Sequence, residues 1–183
     1  CEAYLKRINS TNEALKWKQL KCGLWKNLNG DIGFKTSRVV CSDGQFIADD
    51  YIIRFGFNEN PPLKEIIDTT TFVDLGNTYF KDKNNIYHHY SMSDGGSFTI
   101  FDQADYQTFQ ILGDCYAKDK NHIFESRAGI LSHVDYGSFK TKAGSSGCVA
   151  KDKNGYIIWG DRVKLEEIED EVLLQAIRAL DAE

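Results

Sequence analysis

The sequence lacks three features that mark common classes of protein. No run of apolar residues approaches the roughly 18 that a membrane-spanning helix needs, so we expect no such span. Positive charge is not in excess, because 22 Lys and Arg stand against 27 Asp and Glu. The formal net charge of −5 argues against a general nucleic-acid binder. An initiator Met is also missing, since residue 1 is Cys.

Motifs of known catalytic and cofactor sites are absent as well. The sequence has no glycine-rich dinucleotide loop, no phosphate loop and no Gly-x-Ser-x-Gly turn. The four histidines, at positions 88, 89, 122 and 133, do not have the spacing of metal ligands. Cys148 and His133 could be imagined as a nucleophile and its base, but no third group would orient them. The sequence therefore predicts a non-enzymatic protein without a metal or cofactor.

The composition is that of a folded protein. Apolar residues make up 42% of the 183 residues and aromatic residues 13%, which argues against disorder. This length suits a single domain with a hydrophobic core. The acidic excess is confined to the C-terminus, because residues 161–183 hold eight acids and three bases, which leaves 19 of each in the other 160 residues.

A repeat fills the middle of the chain. Lys-Asp-Lys-Asn occurs at 81–84, 118–121 and 151–154, each time after an Asp-x-x-Ser/Thr-Phe segment at 68–72, 105–109 or 135–139. Short apolar, strand-like stretches flank each Lys-Asp-Lys-Asn segment. Successive copies lie 30 to 37 residues apart, within the range of repeat architectures. A fourth, degenerate copy is indicated at 23–36, where Asn29 and Gly30 stand between two apolar stretches.

The repeated polar segment has the chemistry of a hairpin turn. Asp and Asn form hydrogen bonds with nearby backbone, and Asn tolerates the left-handed conformation that tight turns require. In the third copy the segment ends in Asn154-Gly155, a strong hairpin signal. A calcium loop is the alternative, but its downstream Glu is missing and Lys153 would lie beside the ion.

These features resemble the DKNYY family of bacterial proteins, which is named for an Asp-Lys-Asn-aromatic repeat. The resemblance covers roughly residues 68–160, about half of the chain. The sequence departs from the family's name, because Asn-Ile-Tyr, His-Ile-Phe and Gly-Tyr-Ile follow the Asp-Lys-Asn triplets. Many members of this family look exported or lipid-anchored, and some look like immunity proteins of toxin systems. The resemblance implies no catalytic residues.

The two ends of the chain are predicted to be helical. Ser10 and Glu13 have the spacing of a capping box, which predicts a short N-terminal helix from Ser10 onward. Apolar residues at helical spacing predict an amphipathic helix over 161–183. Its opposite face carries acidic residues that are candidates for binding a basic partner, with an ordinary solvated face as the alternative. These candidates are Glu166, Glu167, Glu169, Asp170 and Glu171.

Two aromatic residues are further candidates for a partner surface. Tyr87 and Tyr90 follow the first Lys-Asp-Lys-Asn segment, and aromatic side chains often anchor protein interfaces. Aromatic residues that alternate along a strand are, however, more often part of the core.

The cysteines bear on the compartment. Cys1 is a candidate for lipidation, because a bacterial lipoprotein begins with Cys after cleavage of its signal. The alternative is that the chain merely begins at a Cys. Cys115 and Cys148 each lie three residues before a Lys-Asp-Lys-Asn segment, so adjacent repeats would bring them within disulfide distance. Cys22 and Cys41 would form the remaining pair, and four reduced, buried thiols are the alternative to both bonds.

Together these patterns predict an α+β, mainly β fold of antiparallel hairpin repeats. The predicted single domain comprises an N-terminal segment (1–22), a degenerate β unit (23–67), three repeats (68–160) and a C-terminal helix (161–183). The predicted function is that of an immunity protein in interbacterial competition, lipid-anchored in the periplasm at the outer membrane, which occludes a secreted toxin. A structural envelope lipoprotein without a toxin partner, a cytoplasmic location and a hydrolase with an unrecognised site are the alternatives.

Overall fold

The computed structural model describes residues 1–41, 46–56, 60–144 and 147–182. The chain forms two compact units, one of Cys1–Asp74 with Thr78–Phe101 and the other of Leu75–Asn77 with Asp102–Glu183. The described residues contain sixteen strands in four four-stranded antiparallel sheets, three α-helices and one 3-10 helix. The prediction of a mainly β, antiparallel fold with few helices is confirmed.

The first unit contains two helices and two meandering sheets. Its elements are α1 (Glu2–Leu15), β1 (Lys18–Gln19), β2 (Leu24–Lys26), β3 (Ile32–Val39), β4 (Ile47–Ile52), α2 (Leu63–Ile66), β5 (Val73–Gly76), β6 (Tyr79–Lys81), β7 (Ile86–Tyr90) and β8 (Ser97–Ile100). The sheet orders are β1-β2-β3-β4 and β5-β6-β7-β8, and the last two residues of β5 count with the second unit. One buried cluster joins both sheets, and its largest members are aromatic.

The second unit repeats the four-stranded meander twice. Its elements are β9 (Gln110–Ile111), β10 (Tyr116–Lys118), β11 (Ile123–Glu125), β12 (Gly129–Ile130), β13 (Lys140–Thr141), β14 (Val149–Asp152), β15 (Gly155–Ile158), β16 (Asp161–Val163), a 3-10 helix (Leu165–Glu167) and α3 (Glu171–Asp181). Strands β14 and β15 bury both faces, as their alternating side chains show. Ala150 and Ile157 belong to one core cluster, whereas Val149 and Ile158 pack against α3.

The N-terminal helix begins earlier than the capping box predicts. Helix α1 starts at Glu2 with Cys1 at its N-cap, so Ser10 lies inside the helix and caps nothing. The half-buried residues Leu5, Ile8 and Leu15 recur at helical spacing and continue the packed face toward the N-terminus. The capping-box prediction is therefore wrong, because this longer apolar stripe, not the local Ser-Glu pair, determines where the helix starts.

The C-terminal helix is shorter than predicted. Residues Asp161–Val163 form strand β16, which pairs with β15, and the α-helix begins at Glu171. The predicted helix over 161–183 therefore wrongly includes strand β16 and the 3-10 helix. The buried residues of α3 are Ala176, Ile177 and Leu180, which belong to the predicted apolar face.

The predicted segments distribute over the two units as follows. Segments 1–22 and 23–67 lie in the first unit, although residues 42–45 and 57–59 of the latter are outside the described residues. The repeat segment 68–160 contributes to both units.

Candidate functional site

Each Lys-Asp-Lys-Asn segment connects two paired antiparallel strands, and its Asp is buried. The three segments join β6 to β7, β10 to β11 and β14 to β15. Asp82, Asp119 and Asp152 are at most 8% exposed. Buried carboxylates are rare unless they are fully hydrogen-bonded, so their partners explain why the residue recurs.

Each buried carboxylate binds two stretches of backbone, that of its own turn and that of the companion Asp-x-x-Ser/Thr segment. In the second copy, Asp119 Oδ1 accepts hydrogen bonds from the backbone N–H groups of Asn121 and His122, at 2.8 and 2.7 Å. Its Oδ2 accepts the backbone N–H of Asp105 at 2.8 Å. Asp82 and Asp152 form the corresponding bonds to the backbone N–H groups of Asp68 and Asp135.

The companion Asp-x-x-Ser/Thr segment is bound to the turn by two more contacts. Asp105 Oδ1 accepts a hydrogen bond from the hydroxyl of Thr108, while Lys120 Nζ lies 2.8 Å from Asp105 Oδ2. The Thr108 hydroxyl in turn accepts the backbone N–H of Lys120 at 3.0 Å. Equivalent Lys–Asp ion pairs join Lys83 to Asp68 and Lys153 to Asp135. The two halves of the repeat therefore form one polar network in each copy.

The pKa values of these carboxylates agree with a structural role. Hydrogen bonds from Lys120 and then Thr108 lower the pKa of Asp105 to about 2. The Arg162 guanidinium, which binds both oxygens of Asp152, holds the pKa of that carboxyl well below its usual range. Asp105 and Asp152 are therefore ionised and bound to partners within the protein. This agrees with the predicted role of the motif as a turn. Asp152, which the calcium alternative would need, is bound by Arg162 instead.

Of the two tyrosines predicted to line a partner surface, Tyr87 does not. Tyr87 is fully buried, stacks near Phe98 and donates its hydroxyl to Asp82 Oδ2 at 2.7 Å. That prediction is wrong, because strand alternation places Tyr87 on the core face of β7. Tyr90 is half-buried at the end of the same strand.

One of the two predicted disulfides is confirmed. Cys115 and Cys148 are bonded, with their Cα atoms 5.4 Å apart. The second bond joins Cys41 to Cys1, and Cys22 is a free, half-buried cysteine. The predicted Cys22–Cys41 pair is wrong for a geometric reason. The carbonyl of Gly23 accepts the N–H of Lys35, which lies six residues before Cys41, so about 20 Å of extended chain separates the two cysteines.

The disulfides indicate an oxidising compartment outside the cytoplasm. None of the helices in the described part of the chain has the length and hydropathy of a membrane span. In this structure Cys1 Sγ forms a disulfide, whereas lipidation would use the same sulfur for a thioether. One molecule can therefore carry only one of the two modifications.

The five predicted acidic residues lie together in a short exposed stretch, which we call the acidic segment (residues 165–172). All five side chains are exposed. Asp170 caps α3, since its Oδ1 accepts the backbone N–H groups of Val172 and Leu173. Glu167 pairs with Lys164 and Glu171 with Arg178. Glu166 and Glu169 make no ion pair with any residue that the structure describes, so their charges face the solvent uncompensated.

An exposed aromatic residue in the second unit was missed by the sequence analysis. Trp159 is 50% exposed and adopts a left-handed backbone conformation with φ of 53°, which is unusual for a bulky side chain. Its N–H is bound by the carbonyl of Cys148, and the next amide, of Gly160, donates to the hydroxyl of buried Tyr116. The guanidinium of Arg127 lies 5.6 Å from the ring centroid. The signal in the sequence was Trp-Gly-Asp directly after an apolar strand, which predicts a turn.

The described residues bear on the two kinds of chemistry considered from the sequence, a metal site and the Cys148–His133 pair. They contain no group of three or more His, Cys, Asp or Glu side chains that could hold a metal ion. Cys148 is bonded to Cys115 and is not available as a thiolate. An open depression of about 350 Å³ in the second unit is lined by residues 111–114, Gly76, Asn77 and Ala143, and Asp114 is its one ionisable side chain.

No protein-family model matches the sequence, and neither the curated proteins nor the solved structures contain a significant match.

Proposed function

We propose that this chain is a non-enzymatic, protein-binding protein of an oxidising compartment. Its most concrete form is an immunity protein that neutralises a secreted antibacterial toxin by covering it. The observation that carries the proposal is the acidic segment, where two uncompensated carboxylates stand beside exposed apolar side chains. The resemblance to the DKNYY family, in which some members look like immunity proteins, supports the toxin as the kind of partner.

The acidic segment has the composition of an interface. Leu165 is 44% exposed and Val172 53% exposed, at the two ends of the stretch that carries Glu166 and Glu169. Protein interfaces combine apolar side chains with polar and charged ones, and the acidic segment exposes both kinds. The free carboxylates select a partner with a basic surface and accelerate the encounter with it.

We include Trp159 and Arg127 in the proposed surface. Trp159 precedes Leu165 by six residues, so their Cα atoms lie at most about 22 Å apart. A standard interface buries about 800 Å² per partner, which corresponds to a patch about 32 Å across. Trp and Arg are among the residues enriched at positions that dominate binding energy. The bonded backbone of Trp159 fixes this anchor before binding, which lowers the entropy lost on association.

The location proposed for this function is the periplasm. The disulfides support a compartment outside the cytoplasm, and a lipid on Cys1 would place the protein at the outer membrane. A lipidated molecule would leave the thiol of Cys41 without its partner, so anchoring can be recognised from the thiols alone.

The test needs the toxin, which we would seek as a secreted protein encoded by a neighbouring gene and prepare as an inactive variant. Its affinity is measured for the wild type and for E166K/E169K. We expect the charge reversal to weaken binding by about 10-fold or more at low salt, and less at high salt. The variant E2K/E13K is the matched control, because it makes the same charge change at two exposed residues of α1. It should bind as the wild type does.

Two results would contradict the proposal. Equal binding by E166K/E169K and wild type would exclude the acidic segment as the contact. Absence of any binding, together with failure of the chain to protect cells from the toxin, would favour the structural envelope lipoprotein instead.

A further inference from the structure

We propose that the first hairpin of the chain, residues 15–28, binds the surface of an anionic membrane. The site is distinct from the acidic segment and needs no lipid on Cys1. We call its exposed face, formed by Lys16, Lys18, Leu20, Lys26 and Leu28, the basic hairpin face.

The charge distribution singles out this end of the chain. Residues 1–41 contain eight bases and three acids, whereas the remainder contains 14 bases and 24 acids. The net charge of −5 therefore conceals a basic N-terminal part of +5. An anionic surface attracts such a part even when the whole molecule is acidic, because charges farther away than about 10 Å are screened.

The hairpin register places the basic hairpin face on one side. Lys18 lies directly opposite Lys26, and Gln19 opposite Trp25. The ladder continues at both ends, where the N–H of Leu20 donates to Leu24 and the N–H of Leu28 donates to Leu15. Successive strand residues face opposite sides, so Leu20 shares the side of Lys18. Leu24, opposite Leu20, lies on this side as well but is fully buried, so the basic hairpin face consists of the exposed residues that surround it.

The other side of the hairpin is occupied by packing within the protein. The ring of Trp17 stacks on Tyr51 with centroids 4.1 Å apart, and Trp25 contacts the edge of the same ring. This aromatic contact fixes the orientation of the hairpin. The side with the lysines also carries Leu24, which is buried in the core, so only the residues around Leu24 are exposed to solvent.

The lysines of this face are not used for folding. Lys16, Lys18 and Lys26 are exposed and make no ion pair with a described residue, whereas Lys35 and Lys64 are paired with Asp49 and Asp31. Two like charges directly opposite each other destabilise a strand pair. The Lys18–Lys26 pair therefore opposes folding, which points to a ligand that supplies the missing negative charge.

The two leucines identify the ligand as a bilayer. Leu20 is 42% exposed and Leu28 62% exposed, so both side chains extend into solvent beside the lysines. Lysine attraction to anionic headgroups combined with apolar side chains that enter the acyl boundary is the mode of interfacial membrane binding. A soluble polyanion would use the lysines but would gain nothing from the leucines.

The expected affinity is modest. Each lysine near an anionic surface strengthens partitioning by about fivefold. Binding of this kind is reversible and sensitive to salt, so it would act as one of the two signals that stable attachment needs. A lipid anchor or a membrane-associated partner would be the other.

The test is co-sedimentation of the full chain with vesicles of equimolar phosphatidylglycerol and phosphatidylcholine, compared with pure phosphatidylcholine. We expect wild type to prefer the anionic vesicles, and K18Q/K26Q to reduce the partition coefficient by about 25-fold. K140Q/K164Q removes two exposed lysines of the second unit and is the matched control, with binding close to that of wild type. The thermal midpoint of K18Q/K26Q should equal or exceed that of wild type, which separates lost binding from lost folding.

A second pair of changes tests the leucines. L20S/L28S should weaken binding to anionic vesicles while leaving the weaker attraction to soluble poly-glutamate unchanged. The proposal is overturned if K18Q/K26Q sediments with anionic vesicles as wild type does. It is also overturned if poly-glutamate binds the protein as strongly as the anionic vesicles do and L20S/L28S does not weaken binding to those vesicles.

Discussion

Asp119 illustrates how much of this structure depends on single carboxylates. Its two oxygens accept backbone N–H groups from two stretches of chain that are far apart in sequence, at Asp105 and at residues 121–122. Removal of this side chain would leave buried N–H groups without acceptors. The stability lost through such unsatisfied groups is larger than the stability that an exposed hydrogen bond contributes.

We expect D119N to lower the free energy of unfolding by about 1–3 kcal/mol, because the amide keeps the size of the side chain but loses one acceptor. Urea unfolding followed by circular dichroism measures this change. K120Q is the comparison, since Lys120 forms an exposed ion pair whose loss should cost less than about 1 kcal/mol. An equal effect of both changes would show that the buried carboxylate is not the principal contact.

His88 should make stability depend on pH. Burial lowers the pKa of His88 to about 4, and burial also lowers the pKa of His89. As the pH falls, the unfolded chain takes up these protons near pH 6.5, at a higher pH than the folded chain does. The contribution of the two neutral histidines to stability is therefore complete above pH 6.5. It is lost as the pH falls from 6.5 toward 4. Thermal midpoints should decline over this range in wild type and decline less in H88Q.

A midpoint that stays constant between pH 7 and pH 5 would contradict the burial of His88. Asp105 and Asp152 of the repeat networks do not interfere with this experiment. The lowered pKa values of Asp105 and Asp152 shift their contribution to a window below about pH 3.8, where stability is lost as they become protonated.

The thiols give a further prediction. Alkylation of the unfolded but unreduced chain should label one cysteine, Cys22, because Cys1 and Cys41 are bonded to each other. A molecule with a lipidated Cys1 should show two labelled cysteines, Cys22 and Cys41. Peptide mapping without reductant identifies the labelled positions, and a Cys22–Cys41 link would contradict the structure.

Among the elements, turns could be predicted better than helix ends. The Lys-Asp-Lys-Asn segments carry their own hydrogen-bonding groups, so local sequence was sufficient to place them. The starts of α1 and α3 depend on packing against strands that are distant in sequence. The capping box at Ser10 and the apolar stripe from Leu165 were therefore misleading, although the buried face of α3 was identified correctly.

Asp170 at the start of α3 provides a test at this level. Its side chain accepts two backbone N–H groups of the first turn, so D170A should destabilise the protein by about 1 kcal/mol. E169A is the control, because Glu169 makes no such bond, and its thermal midpoint should stay close to that of wild type. A larger loss with E169A than with D170A would contradict the assigned cap.

In the whole molecule, the repeated hairpin segments predicted the mainly β fold, and the excess of negative charge at one end was counted directly from the sequence. The register of the repeats was sufficient to pair Cys115 with Cys148. The Cys1–Cys41 bond could not be predicted, because it depends on where α1 lies on the first sheet. Of the candidate surface, the acidic residues were found from charge alone, whereas Trp159 depends on a backbone conformation that no pattern revealed.

The Cys115–Cys148 bond should contribute substantially to stability. Replacing both residues, in C115S/C148S, removes a covalent link across 33 residues and should lower the free energy of unfolding by about 2–4 kcal/mol. C22S is the control and should change it by less than about 1 kcal/mol. Urea unfolding of both variants without reductant measures the difference. Equal stability of C115S/C148S and wild type would contradict the pairing.

Each polar network is confined to its own copy of the repeat, which has a consequence for how recombination can change the sequence. Asp68 and Asp82, Asp105 and Asp119, and Asp135 and Asp152 bind each other's segments, and none of these contacts crosses from one copy to the next. Duplication or deletion of one complete copy, 30 to 37 residues long, therefore leaves no buried carboxylate without its donors. A recombination breakpoint inside a copy leaves at least one buried carboxylate without its donors. With respect to these networks, unequal recombination should therefore act in whole copies, and the second and third copies, which the Cys115–Cys148 bond links, should be gained or lost together.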